Sequence, residues 1–265
     1  MDTQTSPDFR SSVVLKTKNL QLKDPLLLMG LPGIGFVSKL AADHLVKALE
    51  AERFATLYSP HFPNQVIALK SGRLRPFSFR FYHKRLKKRD LVILRGDIQP
   101  LTVEGQYEVS AKVLDFFTKL SGREAIAMAG YALNKKIEKP AIYVASTNKL
   151  LLDKFLKLGA KVNELPVPIV GMAGLVPGIA SLYKVNGACL LVETPGTVID
   201  AAGANELIDM ISRYLGERID ATNLAVRAKK AQKLMERIEA QAKREEEKAG
   251  GIAGDFIRKD LSYIR

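Results

Sequence analysis

The segment that most limits how this chain can fold is Leu26-Leu27-Leu28-Met29 followed by Gly30-Leu31-Pro32-Gly33-Ile34-Gly35. Four apolar residues in succession predict a short strand buried on both faces. The glycines and the proline end it in a tight turn. Beyond the turn, Phe36, Val37, Leu40, Ala41, Leu45 and Ala48 give the stretch Phe36–Leu49 one apolar side at helical spacing. Strand, glycine turn and helix in that order open many α/β folds.

The pattern continues along the chain. Phe54–Tyr58, Val66–Leu69, Phe77–Tyr82 and Leu91–Leu94 read as strands. Tyr107–Leu120 reads as a helix with Val109, Val113, Phe116, Phe117 and Leu120 on its apolar side. Strands are expected at Ala125–Ala129 and Ala141–Ala145, and a short helix at Leu150–Leu158. A glycine-rich loop, Gly171-Met172-Ala173-Gly174-Leu175-Val176-Pro177-Gly178, runs into a helix ending near Val185. A strand at Ala188–Val192 follows, then a helix from Asp200 to Leu215 with Gly216 as its cap. Alternating strands and helices predict a mixed, largely parallel sheet flanked by helices. The expected units are an N-terminal extension (1–23), an α/β domain (24–216), a helical extension (217–249) and a flexible tail (250–265).

The helical extension has its own logic. Asp220–Lys248 contains neither Gly nor Pro and is rich in strong helix formers. Leu224, Ala228, Ala231, Met235, Ile238 and Ala242 recur at alternating steps of four and three, a narrow heptad seam. Half of that seam is alanine, so it needs the body or a second subunit to pack against. Gly250, Gly251 and Gly254 end the helix.

Charge narrows the partners. The formal net charge is +13, which favours acidic surfaces or nucleic acid. Lys70 to Arg89 contains no acidic residue, and Phe77, Phe79, Phe81 and Tyr82 lie among its cations. Aromatics so placed can stack bases. Period two offers the other reading, a strand with Phe77, Phe79 and Phe81 turned inward and Lys84–Arg89 as a basic turn. No nucleic-acid motif accompanies the stretch. The single cysteine, Cys189, lies in the apolar run Ala188–Val192 and reads as a buried thiol. No run is long and apolar enough for a membrane helix, and the N-terminus does not read as a signal peptide. A cytoplasmic protein is expected.

Candidate chemistry is sparse. Gly30, Gly33 and Gly35 before one helix, and Gly174 and Gly178 in the later loop, are candidate ligand-binding positions, since backbone amides at a helix start attract anions. The spacing is that of neither a dinucleotide fingerprint nor a P-loop, and Lys39 lies too far along for a phosphate lysine. Close backbone packing explains the same glycines without a ligand. His44, His61 and His83 have no metal-ligand spacing with Cys, Asp or Glu, so no metal or other cofactor is expected. Glu193 and Asp200 are a weak acid–base pair, and Asp200 also reads as a helix N-cap.

Taken together and in order, Gly30-Leu31-Pro32-Gly33-Ile34-Gly35, Gly171–Gly178 and Glu193-Thr194-Pro195-Gly196 resemble the proteasome assembly chaperone family, its archaeal members above all. The resemblance implies a fold similar to purine nucleoside phosphorylases without their catalytic role. It implies a non-enzymatic homo-oligomer that binds the proteasome core particle or its subunits. Some members end in a hydrophobic–tyrosine–any-residue motif that docks between proteasome α subunits. Here Tyr263, Ile264 and Arg265 end the chain, with the tyrosine third from the end rather than second, and these residues are the expected partner-binding positions. The alternative is a nucleotide- or nucleoside-binding protein or enzyme, phosphorylase-like or carboxylate–amine ligase-like, that uses the glycine loops.

Overall fold

The computed structural model describes residues 8–133, 137, 139–196, 199–222, 224–226, 228–229 and 232–233. In chain order these form β1 (Val13–Lys16), β2 (Leu26–Gly30), a 3-10 turn (Ile34–Phe36), α1 (Val37–Ala48), β3 (Glu52–Tyr58), β4 (Val66–Ala68), β5 (Leu74–Pro76), β6 (Phe79–Arg85) and β7 (Asp90–Gly96). There follow α2 (Val103–Thr118), β8 (Glu124–Ala132), β9 (Ile142–Ser146), α3 (Lys149–Lys157), α4 (Met172–Ile179), a second 3-10 turn (Ala180–Tyr183), β10 (Asn186–Thr194) and α5 (Ala201–Leu215).

Eight strands form one sheet in the order β1-β3-β6-β7-β2-β8-β10-β9, and β4 and β5 make a separate hairpin. The sheet is mixed. Its centre, β7-β2-β8-β10, is parallel. The strands on either side join antiparallel. Period-two alternation then sorts the side chains of each central strand between two cores. Leu26 and Leu28 of β2 pack with α1, α3 and α5, alongside Leu45, Phe155, Leu207 and Ile211. Leu27 and Met29 pack on the opposite face with α2 and α4, alongside Phe81, Phe117, Met172 and Val176. All five residues of β2 are buried, as an uninterrupted apolar run requires.

Several boundaries differ from expectation for local reasons. Helix α2 begins four residues before Tyr107, because the Thr102 hydroxyl caps it by accepting from Gly105 N–H at 3.0 Å. Asp200 and Gly216 cap α5 as their positions suggest: Asp200 Oδ1 accepts from Gly203 N–H at 2.9 Å, and Gly216 takes the left-handed conformation. The expected N-terminal extension contributes a strand of its own, β1, at the edge of the sheet. Phe79 and Phe81 point into the α2 side as period two predicts, while Tyr82 is buried on the α1 side.

The root of the helical extension packs on the body. Leu224 and Ala228 are buried in the same core as α1 and α5. The Gln232 side-chain oxygen accepts from Ile199 N–H at 3.2 Å. The rest of the heptad seam (Ala231, Met235, Ile238 and Ala242), the helix end at Lys243–Lys248 and the tail residues Tyr263, Ile264 and Arg265 lie outside the described residues.

Candidate functional site

In open α/β sheets, ligands bind beyond the carboxyl ends of the parallel strands, where successive connections leave in opposite directions. In this sheet β7 and β8 flank β2, so the corresponding place is the end of β2. A crevice of about 300 Å³ opens there. Met29, Leu31, Ile34, Met128 and Val170 line it, together with Gly33 and Gly171.

Gln99, in the connection after β7, holds the crevice walls together. Its Nε2 donates to the Pro32 carbonyl at 2.7 Å. Its Oε1 accepts from Met172 N–H at 3.0 Å, at the start of α4. The Ser38 hydroxyl is also committed, donating to the Leu31 carbonyl at 2.6 Å. The crevice lining is therefore apolar side chains, backbone and two polar side chains already bonded within the fold. It has no carboxylate, imidazole, thiol or amine among the described residues, so the chemistry it can offer is shape and backbone recognition.

The candidate glycines do not gather into one binding surface. Gly33 lines the crevice in extended conformation. Gly30 is where α1 crosses β2: a Cβ there would meet Ala42 Cβ at 2.5 Å. Gly35 has φ +62, and a Cβ would meet Thr194 Oγ1 at 2.5 Å. Gly174 faces Ile169, whose Cβ would be 2.8 Å away. Gly178 has open space around it. Of the two residues that meet at the crevice, Gly171 stands in the sequence as the first residue of the later glycine-rich loop, whereas Gln99 was not singled out. A lone glutamine in a loop carries no motif, and its partners are remote in the chain.

The other candidate groups are held in structural roles. His44 is buried and donates through Nε2 to the Asp220 carbonyl at 2.6 Å, tying α1 to the chain after α5. His61 packs against Gly105, where a Cβ would meet its own Cβ at 2.6 Å. His83 lies 2.9 Å from the Asp90 carboxylate. Glu193 accepts from Ala141 N–H at 3.0 Å and from the Tyr143 hydroxyl at 3.1 Å. Asp200 is the cap of α5. Lys39 turns to Asp43 within its own helix, and Asp43 also receives Arg95 at 2.6 Å. Burial lowers the Lys39 pKa, against the pull of Asp43. Among the described residues, no group of three or more His, Cys, Asp or Glu is placed to hold a metal ion.

The basic stretch is partly neutralised by acids from outside it. Arg80 donates to Asp97 at 2.7 Å, and Arg75 pairs with the same carboxylate. Burial opposes ionisation of Asp97, yet the two guanidiniums keep its pKa below the usual range. Arg85 donates to Asp90 at 2.8 Å, and Arg89 to Glu124 at 2.8 Å. Phe79 and Phe81 are fully buried, so neither ring is open to a base.

Comparison with known proteins sets these features beside relatives. The sequence pattern described as the PAC2 family matches residues 27–239. An uncharacterized protein of Methanocaldococcus jannaschii is 32% identical over 254 residues, covering 95% of this chain and 97% of its own. The crystal structure of Pyrococcus furiosus PbaB, described as an archaeal proteasome activator, superposes with a TM-score of 0.79 at 34% identity, covering 87% of this chain and 99% of that one. Pyrococcus furiosus PbaA, described as an archaeal homolog of proteasome-assembly chaperone, shares the fold with a TM-score of 0.73 at 22% identity, covering 87% of this chain and 97% of its own. No described helix is long and apolar enough to cross a membrane.

Proposed function

The chain belongs to the PAC2 family, and on that premise we propose that it is a non-enzymatic proteasome assembly chaperone or proteasome-binding adaptor. The observation that carries the reading is the correspondence with PbaB over 87% of this chain and 99% of that one, at 34% identity. The crevice supports it in a second way. Where an α/β enzyme would present acids and bases, this chain presents Leu31, Ile34, Met128 and Val170.

The protein acts as a homo-oligomer and grips the proteasome core particle or its subunits through protein–protein contacts. Tyr263, Ile264 and Arg265 supply the end of the grip. Native mass spectrometry of the protein alone and mixed with an archaeal proteasome core tests this. A mass above one protomer and a complex with the core are expected. A monomer that leaves the mass of the core unchanged overturns the reading. A pull-down with and without Asp255–Arg265 isolates the tail, and equal capture by both forms removes it from the mechanism.

The crevice favours one alternative, a small ligand such as a nucleoside held at the end of β2. A nucleoside that binds the native state with micromolar affinity raises the melting temperature at millimolar concentration. No shift with any nucleoside eliminates this alternative.

A further inference from the structure

At the opposite edge of the sheet, where β2, β7 and β8 begin, a second cavity of about 490 Å³ opens between the β6–β7 turn and the C-terminal ends of α3 and α5. Three remote segments bring cations to it: Lys88 and Arg89 from the turn, Lys154 and Lys157 from α3, and Arg213 from α5. Its floor is rigid. Arg89 donates to Glu124 at 2.8 Å and to the Asp24 carbonyl at 3.0 Å. The Tyr214 hydroxyl donates to the same Glu124 carboxylate, and the Tyr214 ring stacks on Phe155 with centroids 4.6 Å apart.

Charge in the cavity does not balance. Arg89 is matched by Glu124 and Asp24, and Arg213 by Asp209 at 3.1 Å. Lys88, Lys154 and Lys157 have no carboxylate within ion-pairing distance among the described residues. Lys154 lies over the Tyr214 ring, 5.9 Å from its centroid. The ends of α3 and α5 attract cations, but each helix C-terminus carries only about half a negative charge. Two such ends offset about one positive charge and the second carboxylate on Arg89 offsets another, so the three lysines keep a surplus of about one positive charge.

From this arrangement we propose that the cavity binds a compact polyanion, a short linear oligophosphate, on Lys88, Lys154 and Lys157. An acidic peptide in extended form spaces same-side charges about 7 Å apart and needs a long groove. An oligophosphate concentrates its charge in a volume typical of small-molecule sites. Lysines suit it as mobile point charges. The Tyr214 ring has Phe155 on one face and the Lys154 ammonium above it, so a nucleoside base has no free ring to stack on. The phosphate chain is recognised whether it is inorganic or the tail of a nucleotide.

The test is calorimetric titration of the full chain with sodium tripolyphosphate and with ATP at constant ionic strength, with a ten-residue poly-glutamate peptide as the competing polyanion. Saturable tripolyphosphate binding is expected, weakened tenfold or more in the triple variant K88Q/K154Q/K157Q. All three side chains are exposed, and circular dichroism establishes that the variant is folded. ATP binding equal to tripolyphosphate identifies the phosphate chain alone as the ligand. Tighter ATP binding, lost in the triple variant, makes the nucleotide the source. Absence of saturable binding by either, affinity unchanged in the triple variant, or tighter binding of poly-glutamate than of tripolyphosphate overturns the proposal. None of these outcomes depends on proteasome binding.

Discussion

Gln99 is bonded to Pro32 across the mouth of the glycine crevice, its side-chain N–H meeting the proline carbonyl at 2.7 Å. The same amide accepts from Met172, so one side chain fixes the turn after β2 to the start of α4. Both bonds need an amide, because one is donated and the other accepted. Gln99→Ala is expected to cost about 1–3 kcal/mol in urea unfolding, through the lost bonds and the unpaired groups left behind. Gln99→Glu keeps the acceptor but sets a carboxylate oxygen against the Pro32 carbonyl. It is expected to cost at least as much as the alanine change, and equal stability of wild type and Gln99→Glu would contradict the bridge.

Gly35 and Gly178 make a contrasting pair. Gly35→Ala meets both a left-handed backbone and the Thr194 hydroxyl, and about 1–3 kcal/mol of destabilisation is expected. Gly178 lies exposed in α4 with nothing within reach of a new methyl group. Alanine there is expected to leave stability unchanged or raise it by about 0.5–1 kcal/mol. Chemical denaturation of the two variants side by side separates a packing glycine from a dispensable one.

Asp90 sets a pH dependence. Burial opposes its ionisation, but Arg85, the Lys23 N–H and His83 outweigh that cost and lower its pKa from 3.8 to about 2. The folded carboxyl therefore titrates below the unfolded one. Its contribution to stability is full above about pH 4 and is lost as pH falls toward 2. Thermal melts between pH 7 and pH 2 should show this loss. Asp90→Asn should be less stable than wild type at pH 7, with the gap closing in acid.

Cys189 gives a chemical readout of folding. It is buried on β10, and burial pushes its thiol up to about 12. Thiolate is the reactive form, so the native protein at pH 8 should resist a disulfide reagent. In denaturant, one equivalent should react promptly, since the chain has one cysteine. Rapid labelling of the native protein would place the thiol outside the core.

The parts of this fold that could be read in the sequence are those governed by neighbouring residues. Leu26–Met29 announced a strand buried on both faces, and Asp200 with Gly216 announced the two ends of α5. What could not be read depends on residues far apart. Val13–Lys16 is too short and too exposed to stand out as a strand, and it is one only because β3 lies beside it. The basic stretch lacks acids of its own and takes Asp90 from β7, Asp97 from the connection after it and Glu124 from β8. A glycine in sequence signals that space is short, but not whether a helix, a hydroxyl or a ligand occupies it. Gly30, Gly35 and Gly33 are separated on that point only by their neighbours in space.

The placement of β2 has a consequence for biosynthesis. Leu26 pairs with Leu91 on one side and Glu124 on the other. A strand buried along its whole length thus leaves the ribosome long before either partner exists. The β6–β7 hairpin, closed between Arg85 and Asp90, is the first part of the sheet able to receive it. Until β8 follows, its second edge stays open on the nascent chain. A protein proposed to assist the assembly of others therefore passes through a stage in which its own central strand is exposed to aggregation.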